Sequence, residues 1–198
     1  YSAYSFMRSK TSTSATPRYT SLIFTEETIS FPLEVLSAVD IKRSLAQARQ
    51  SNFPLGSITR IMPVSQADAS SASQDQPATI EIFLRAIGAQ ATPDLIRALL
   101  PNFFLGIHAI DKNAPVLIIP VSSYERAFAG MLAWEQAMNA DLAPLFTSVP
   151  PQAIDANGLP VERKFQDAIL YNYDVRVLRD DTGAIELLYS FPTRSILI

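Results

Sequence analysis

His108 is the one histidine of the chain, and imidazole is the side chain most often used as a general base near neutral pH. It lies in a predicted strand, residues 103–110, on the same face as Phe104 and Ile110. The sequence contains no Gly-x-Ser-x-Gly elbow, and no serine can be assigned to this histidine. We therefore interpret His108 as a partly buried residue bonded to a backbone carbonyl. An activity lost in His108→Gln without loss of thermal stability would contradict this interpretation.

The sequence lacks the residues that usually bind metals and phosphates. There are no cysteines, which removes thiolate nucleophiles and thiolate metal ligands, and one histidine leaves mainly carboxylates as ligands. The polar residues of the predicted turns lack the spacing of an EF-hand loop: Asp111, Asn113, Asp180 and Asp181. The six glycines form no phosphate-binding pattern. The sequence therefore predicts no metal, no cofactor and no catalytic residue.

Acidic residues near the C-terminus could act on a glycoside, because glycosidases use a pair of carboxylates. Asp167, Asp174 and Glu186 fall in a predicted terminal hairpin, together with Arg176. Asp174 and Arg176 lie two positions apart on one strand face, which more simply predicts a solvated ion pair or a cross-strand partner. The sequence does not determine the register of this hairpin. A carboxylate-dependent hydrolase therefore remains an alternative function.

Aromatic side chains are a second candidate for ligand binding, because their rings stack on sugars and on partner proteins. Tyr171, Tyr173 and Tyr189 fall near Phe191 on adjacent predicted strands. Aromatic residues are also favoured in strands, so packing within the sheet explains the same pattern. The candidate binding anchors are Trp134, Tyr171, Tyr173 and Tyr189. A glycan or small-ligand binding module that uses Tyr171, Tyr173 and Trp134 is another alternative function.

The composition is that of a globular protein of ordinary size. A chain of 198 residues with 48% hydrophobic and 18% charged residues can bury a core and fits one domain. The net charge of −3 gives no concentrated positive field, so we expect no nucleic-acid partner. No apolar run reaches the roughly 18 residues needed to cross a bilayer. The most hydrophobic region is interrupted at Arg97, His108, Asp111 and Lys112.

The elements that must position these residues begin with strands and one helix. Residues 29–33 are typical of an extended segment, and apolar positions at helical spacing predict a helix over 34–50. A strand is predicted over 57–64 and is closed by Pro63. Residues 65–78 contain no large apolar side chain, which predicts a mobile surface loop.

Capping signals place three further helices. Residues 79–87 fit a helix and also a strand, and we choose the helix because Gly88 stands where a helix would end. Thr92-Pro93-Asp94 joins a hydroxyl cap, a first-turn proline and a carboxylate near the positive end of the helix dipole. Ser122 and Glu125 predict a capping box for a longer helix that ends at Leu142. Its predicted apolar face is Tyr124, Phe128, Met131, Met138 and Leu142, and its small-residue stripe is Ala129, Gly130, Ala133 and Ala137.

Two hairpins complete the predicted domain. The apolar runs 103–110 and 115–121 flank a polar turn, which predicts the first hairpin. The second joins 165–179 to 184–191 through the turn Asp180-Asp181-Thr182-Gly183, and a last strand covers 194–198. Residues 144–164 are rich in proline and are predicted to be a long surface connection. This uneven order predicts a single α+β domain, residues 21–198, with a largely antiparallel mixed sheet packed by about four helices.

The first twenty residues have the composition of a tether. Serine, threonine and alanine dominate, and the charges are Arg8, Lys10 and Arg18. The chain starts at Tyr1 rather than at a methionine, so we expect a signal peptide or a membrane anchor before it. A disordered terminus explains the same composition. We therefore assign residues 1–20 to a flexible N-terminal tether.

Two strings of residues carry a resemblance to a known group. The first runs from Phe103-Phe104-Leu105-Gly106-Ile107-His108 to Tyr124-Glu125-Arg126-Ala127-Phe128-Ala129-Gly130-Met131-Leu132-Ala133-Trp134-Glu135, and the second from Asp174-Val175-Arg176-Val177-Leu178-Arg179-Asp180 to Leu187-Leu188-Tyr189-Ser190-Phe191. Over about residues 80–146 and 165–198 the chain resembles uncharacterised membrane-anchored proteins of ultrasmall candidate-phylum (Patescibacteria-type) bacteria. The resemblance implies an N-terminal transmembrane helix followed by an extracytoplasmic domain. It lends no activity and no site residues.

The leading functional hypothesis follows from good core signals without a reactive cluster. We expect a non-enzymatic, extracytoplasmic binding or scaffolding domain of a membrane-anchored bacterial protein. Its expected partner is a protein, with a glycan as the alternative, and its contact with a membrane would be made only through the N-terminal anchor. The alternatives are the hydrolase and the glycan or small-ligand module described above.

Overall fold

Apolar residues with helical and strand periodicity form the buried faces of the helices and strands of this protein. The structure is a computed structural model, and it describes residues 8–9, 22–23, 25, 27–33, 36–65, 76–110 and 112–198. The described helices are α1 (Ala38–Arg49), α2 (Ile80–Ala86), α3 (Pro93–Ala98) and α4 (Tyr124–Leu142). The described strands are β1 (Arg8–Ser9), β2 (Glu27–Pro32), β3 (Ile58–Ser65), β4 (Gln76–Pro77), β5 (Phe104–Ala109), β6 (Asn113–Pro120), β7 (Gln152–Ile154), β8 (Pro160–Glu162), β9 (Gln166–Leu170), β10 (Tyr173–Arg179), β11 (Ile185–Ser190) and β12 (Ile196–Leu197).

The described strands pair into one large sheet and two small ones. The large sheet has the order β1-β2-β3-β5-β6-β12, and β4 also pairs with β3. Its neighbours run antiparallel except β2 and β3, which are parallel because α1 connects them as a crossover. The smaller sheets are the three-stranded sheet β11-β10-β9 and the hairpin β7-β8. The chain is therefore a single domain of α+β type with a largely antiparallel sheet, as the sequence predicts.

The four described helices all contribute to one hydrophobic core. The buried residues of this core come from each described helix, from the large sheet and from the three-stranded sheet. They include Ile41, Leu45, Phe83, Leu95, Met131, Met138, Ile61, Leu105, Ile107, Leu178 and Leu187. Burial of these side chains is the main source of stability, because apolar area removed from water contributes about 25 cal/mol per Å². No helix within the described residues is both long and apolar enough to cross a membrane.

Local capping signals place the helices much as expected. Thr92 accepts a hydrogen bond from the backbone N–H of Leu95 at 3.2 Å, and α3 begins at Pro93. Residues 80–86 are helical, so the choice of helix over strand is confirmed for this segment. The predicted capping box of α4 is wrong, because the N-cap residue is Ser123. Ser122 instead donates from its hydroxyl to the carbonyl of Ala98, which ties α4 to α3.

The structure differs from the predicted strands and connections at three places. The strand predicted over 57–64 forms as β3, but Pro63 does not close it: Pro63 pairs with Phe31 of the parallel strand β2 and its carbonyl accepts from the N–H of Ala78. The connection 144–164 contains the hairpin β7-β8, whose strands are mostly exposed. The predicted strand 165–179 is two strands, because Tyr171 and Asn172 form a turn with φ of 51° and 67°. A two-residue turn does not interrupt the alternation of apolar and polar residues, so that alternation does not reveal the turn.

Part of the predicted organisation lies outside the described residues. The tether, residues 1–20, is described only at Arg8–Ser9. The predicted loop 65–78 is described only at its ends, where Ser65 pairs with Gln76 in the sheet. Asp111, in the first predicted hairpin turn, is also outside them.

Candidate functional site

A cleft of about 430 Å³ opens between the start of α4 and the three-stranded sheet. We call it the aromatic cleft, and its walls include Tyr124, Phe128, Asp167, Tyr173, Asp174, Arg176, Tyr189 and Phe191. Apolar walls with a few converging polar groups are the usual form of a ligand site. The arrangement brings one helix and all three strands of the sheet to a single surface.

Three rings form the apolar wall of the aromatic cleft. Tyr124 and Phe128 are one helical turn apart on α4 and stack with their ring centroids 5.8 Å apart. Phe191 follows β11 and meets both rings edge-on, at 5.2 Å from Tyr124 and 6.1 Å from Phe128. Arg194 lies over the Tyr124 ring at 4.7 Å and is also ion-paired with Glu125. None of the three rings is fully buried, so each can offer part of its surface to a ligand.

Arg176 forms the polar floor of the aromatic cleft. Its Nε and Nη2 atoms each donate to Glu135 of α4 at 2.7 Å, and its Nη1 donates to Asp167 of β9 at 2.8 Å. The hydroxyl of Tyr189 donates to the same Glu135 carboxylate at 2.7 Å. This network joins α4 to all three strands of the small sheet, because Asp167, Arg176 and Tyr189 stand side by side across it.

The network also sets the protonation of its members. The hydrogen bonds to Glu135, with the nearby Asp167, raise the pKa of Arg176. Burial raises the pKa of Tyr189, and its hydrogen bond to the Glu135 carboxylate adds to this effect. Both shifts hold the groups in their ordinary neutral-pH forms, a guanidinium and a neutral phenol. A network of this kind stabilises structure and supplies no proton for chemistry.

Two carboxylates remain at the mouth of the aromatic cleft. Asp167 faces Arg176 and Asp174 faces Ile169, so the two acids lie diagonally on one sheet face. Diagonal neighbours of this kind are about 7 to 8 Å apart. Asp167 is 92% exposed and ion-paired with Arg176, and Asp174 is exposed as well. A general acid needs a desolvated carboxyl, and neither residue is desolvated. Of the two arrangements predicted for Arg176, the pair with Asp174 on its own strand is not formed, whereas a cross-strand pair is, because the guanidinium donates to Asp167 of β9 as well as to Glu135.

Two of the four candidate binding anchors are buried. Trp134 and Tyr189 are each only 4% exposed. The indole N–H of Trp134 donates to Asp141 at 2.7 Å, and the same carboxylate accepts from the backbone of Gln90 at 2.6 Å. Trp134 is therefore part of the core. Tyr189 lines the aromatic cleft, and its hydroxyl donates to Glu135.

The other two predicted anchors are exposed on one hairpin but in different places. Tyr173 begins β10 and lines the aromatic cleft. Tyr171 is 94% exposed at the turn of the hairpin and does not line the cleft. The three rings that the glycan hypothesis requires therefore do not share one concavity, because Trp134 is buried and Tyr171 stands apart.

The remaining chemical candidates lie away from the aromatic cleft. His108 is half-buried in β5 between Ile58 and Ala114, and its ring makes no hydrogen bond with a described residue. Glu186 accepts weakly from Ser148 at the other end of β11. Asp180 closes the β10-β11 turn, where hydrogen bonds from Thr182 and Ala184 lower its pKa. No group of three or more acidic or histidine ligands that could hold a metal occurs among the described residues.

Sequence reasoning missed the helical half of the site. The predicted apolar face of α4 includes Tyr124 and Phe128, but the buried face contains Ala127 and Gly130 beside the predicted Met131, Met138 and Leu142. The stripe Tyr124, Phe128 and Leu132 recurs every four residues, and this spacing was the signal for a shared helix face. Glu135 had no such signal, because its partner Arg176 is far away in the sequence.

Comparison with known proteins finds no matching family model, no similar curated protein and no similar solved structure. The aromatic cleft therefore has to be interpreted from its own geometry.

Proposed function

We propose that the chain is the non-enzymatic binding domain of a membrane-anchored, extracytoplasmic protein and that it binds a partner protein at the aromatic cleft. The observation that carries the proposal is the cluster of Tyr124, Phe128 and Phe191, which is assembled at the surface and remains partly exposed. Aromatic clusters in a concave surface are enriched at the centres of protein interfaces. The anchor is supported by the composition of residues 1–20 and by the resemblance described above.

Tyr171 supports a binding role from the local backbone. It has a φ of 51°, a conformation that asparagine and glycine adopt far more readily than tyrosine. Its side chain is exposed, so no packing within the domain offsets this cost. A residue that breaks a local rule without a structural gain is a candidate for function. Tyr171 stands on the hairpin that forms one wall of the aromatic cleft.

The charge of the aromatic cleft indicates the chemistry of the partner. Glu135 matches the single charge of Arg176, which leaves Asp167 and Asp174 as exposed carboxylates. An acidic rim around aromatic rings favours a partner surface with lysine or arginine beside apolar groups.

Selection from a phage-displayed peptide library against the domain tests this proposal. We expect enriched peptides whose affinity falls about tenfold in Asp174→Lys and in Tyr173→Ala. Leu55→Ala is the matched control, because Leu55 is exposed and does not line the aromatic cleft. Intrinsic fluorescence of Trp134 verifies folding of each variant. Enriched peptides that bind all three variants equally would refute the cleft as the binding surface.

A carboxylate-dependent hydrolase is the second candidate, and the placement of Asp167 and Asp174 on one face of the aromatic cleft favours it. Inverting glycosidases hold their two carboxyl groups about 6.5 to 9.5 Å apart, and side chains at diagonal positions of a sheet are close enough to reach such a separation. Chromogenic glycosides test this alternative. Hydrolysis that disappears in both Asp167→Asn and Asp174→Asn would establish the hydrolase and displace the binding proposal. Equal background rates of hydrolysis in the native chain, Asp167→Asn and Asp174→Asn would exclude the hydrolase.

A further inference from the structure

β9 lies at the edge of the three-stranded sheet. It pairs with β10 on one side, and no described strand pairs with it on the other. The opposite edge differs, because Ser190 of β11 exchanges two backbone hydrogen bonds with Ile198. One edge of the sheet is therefore covered at its end and the other is open.

The turn determines which backbone groups of β9 point outward. Tyr171 and Asn172 form a two-residue turn between β9 and β10. The residues that flank this turn, Leu170 and Tyr173, are therefore a hydrogen-bonded pair of the ladder. Because bonded and non-bonded pairs alternate along an antiparallel ladder, the N–H and C=O groups of Asp167 and Ile169 face away from β10. Neither residue makes another backbone hydrogen bond within the described chain. The N–H and C=O groups of these two residues can therefore pair with a further strand.

The edge of β9 has one of the usual protections against pairing, the charge of the exposed Asp167. Natural edge strands are protected by charged side chains, especially lysine, by proline or by a covering segment. β8 begins with Pro160 and β4 ends with Pro77, whereas β9 contains neither proline nor lysine. Ile169 is 72% exposed on this strand. An apolar side chain and free backbone groups together make a template for another strand.

We propose that a segment of the partner protein adds to β9 as an extended strand, with a lysine or arginine beside Asp167 and a β-branched or aromatic residue beside Ile169. The inference rests on the proposed function and specifies how the partner is held. Asp167 and Ile169 lie two positions apart and share a sheet face, so the two side chains of the added strand also lie two apart. Only Oδ1 of Asp167 is bonded to Arg176, which leaves Oδ2 for the incoming cation.

A second copy of this chain fits the edge less well than a basic segment. Antiparallel pairing of two β9 strands about Ala168 places each Asp167 opposite an Ile169 of the other copy. Pairing about Asp167 places two carboxylates directly opposite each other, which is destabilising. A strand with a cation at the corresponding position removes both problems.

Amide hydrogen exchange, read by nuclear magnetic resonance, tests the proposal on the whole chain. The probe is a capped peptide of about seven residues in which valine and threonine alternate around one central lysine. We expect the peptide to slow exchange of the Asp167 and Ile169 amides by about tenfold. The amides of Ala168 and Leu170 already bond to β10 and serve as internal controls. A matched peptide with glutamate in place of lysine should bind about fivefold more weakly.

Two variants separate this inference from the proposed function. Ile169→Pro removes an outward N–H and should abolish peptide protection, whereas Ile169→Ala keeps the N–H and should retain it. Peptide binding that shifts the resonances of Tyr124 and Phe191 without protecting Asp167 and Ile169 would overturn strand addition and leave the aromatic cleft as the binding surface. If the lysine peptide does not bind, strand addition is overturned but the proposed function is not, because the phage-display selection tests the aromatic cleft independently. If the Asp167 and Ile169 amides exchange slowly without peptide and sedimentation shows a dimer, the edge of β9 pairs with a second copy of the chain, and the proposal is overturned.

Discussion

Arg176 and Glu135 form a bidentate ion pair that joins the three-stranded sheet to α4. Both contacts are 2.7 Å, and the side chains are only 18% and 14% exposed. A paired fork of this kind has defined geometry and fixes the angle between two elements. The aromatic cleft has one wall on each of these elements, so the pair maintains its width.

Replacing Glu135 by alanine should destabilise the domain by about 2 to 3 kcal/mol, because it leaves Arg176 and the Tyr189 hydroxyl without their shared partner. Urea denaturation followed by Trp134 fluorescence measures this change. Arg85→Ala is the control: its pair with Glu81 is exposed, so the loss should stay below about 1 kcal/mol. Equal losses in the two variants would show that the buried pair contributes no more than a surface pair.

Tyr189 should make the domain sensitive to alkaline pH. Its pKa is raised in the folded protein by burial and by Glu135, so its contribution is complete below the unfolded-state pKa of about 10. That contribution is lost as pH rises from there towards the folded-state value. Tyr189→Phe should lower the free energy of unfolding by about 1 kcal/mol at neutral pH. The difference from the native chain should shrink above about pH 10. Urea titrations at several alkaline pH values measure it, and a constant difference would contradict the assigned shift.

Gly130 allows α4 to approach α3 closely. A Cβ atom at this position would lie 2.6 Å from Cβ and 3.0 Å from Cα of Leu95, which is completely buried. Gly130→Ala gains about 1 kcal/mol in helix propensity but forces the helices apart. We therefore expect a net loss of about 1 to 2 kcal/mol by chemical denaturation.

Ala133→Leu is the control for this prediction, because Ala133 is an exposed member of the same predicted small-residue stripe. It should change stability by less than about 0.5 kcal/mol. A stabilised Gly130→Ala protein would show that the two helices have room to separate.

The sequence predicts well those elements whose signals are local. The hairpin of β5 and β6 is marked by two apolar runs around a polar turn, and the structure confirms it. The cap at Thr92 needs only three residues to be recognised, and it also forms as expected. In both cases the interactions that determine the element lie within a few positions of one another.

The candidate site depends on contacts that are distant in sequence. Glu135 and Arg176 are 41 positions apart, and neither residue has a local pattern that identifies the other. The turn at Tyr171 and Asn172 was missed for a different reason, because it lacks glycine and does not interrupt the alternation. Half of the aromatic cleft could therefore be named from sequence, through Tyr173 and Tyr189, but its assembly could not.

Tyr171→Asn should make the domain more stable and a weaker binder. Asparagine adopts positive φ at lower cost than tyrosine, and the exposed ring loses no packing, so we expect a gain of about 0.5 to 1 kcal/mol. In a domain of this size such a gain raises the melting temperature by about 1 to 4 °C. Affinity for the selected peptides should fall, which is the usual trade-off at functional positions. Tyr171→Phe is the control, because it retains both the ring and the strain. Unchanged affinity in Tyr171→Asn would show that the ring at the turn does not take part in binding.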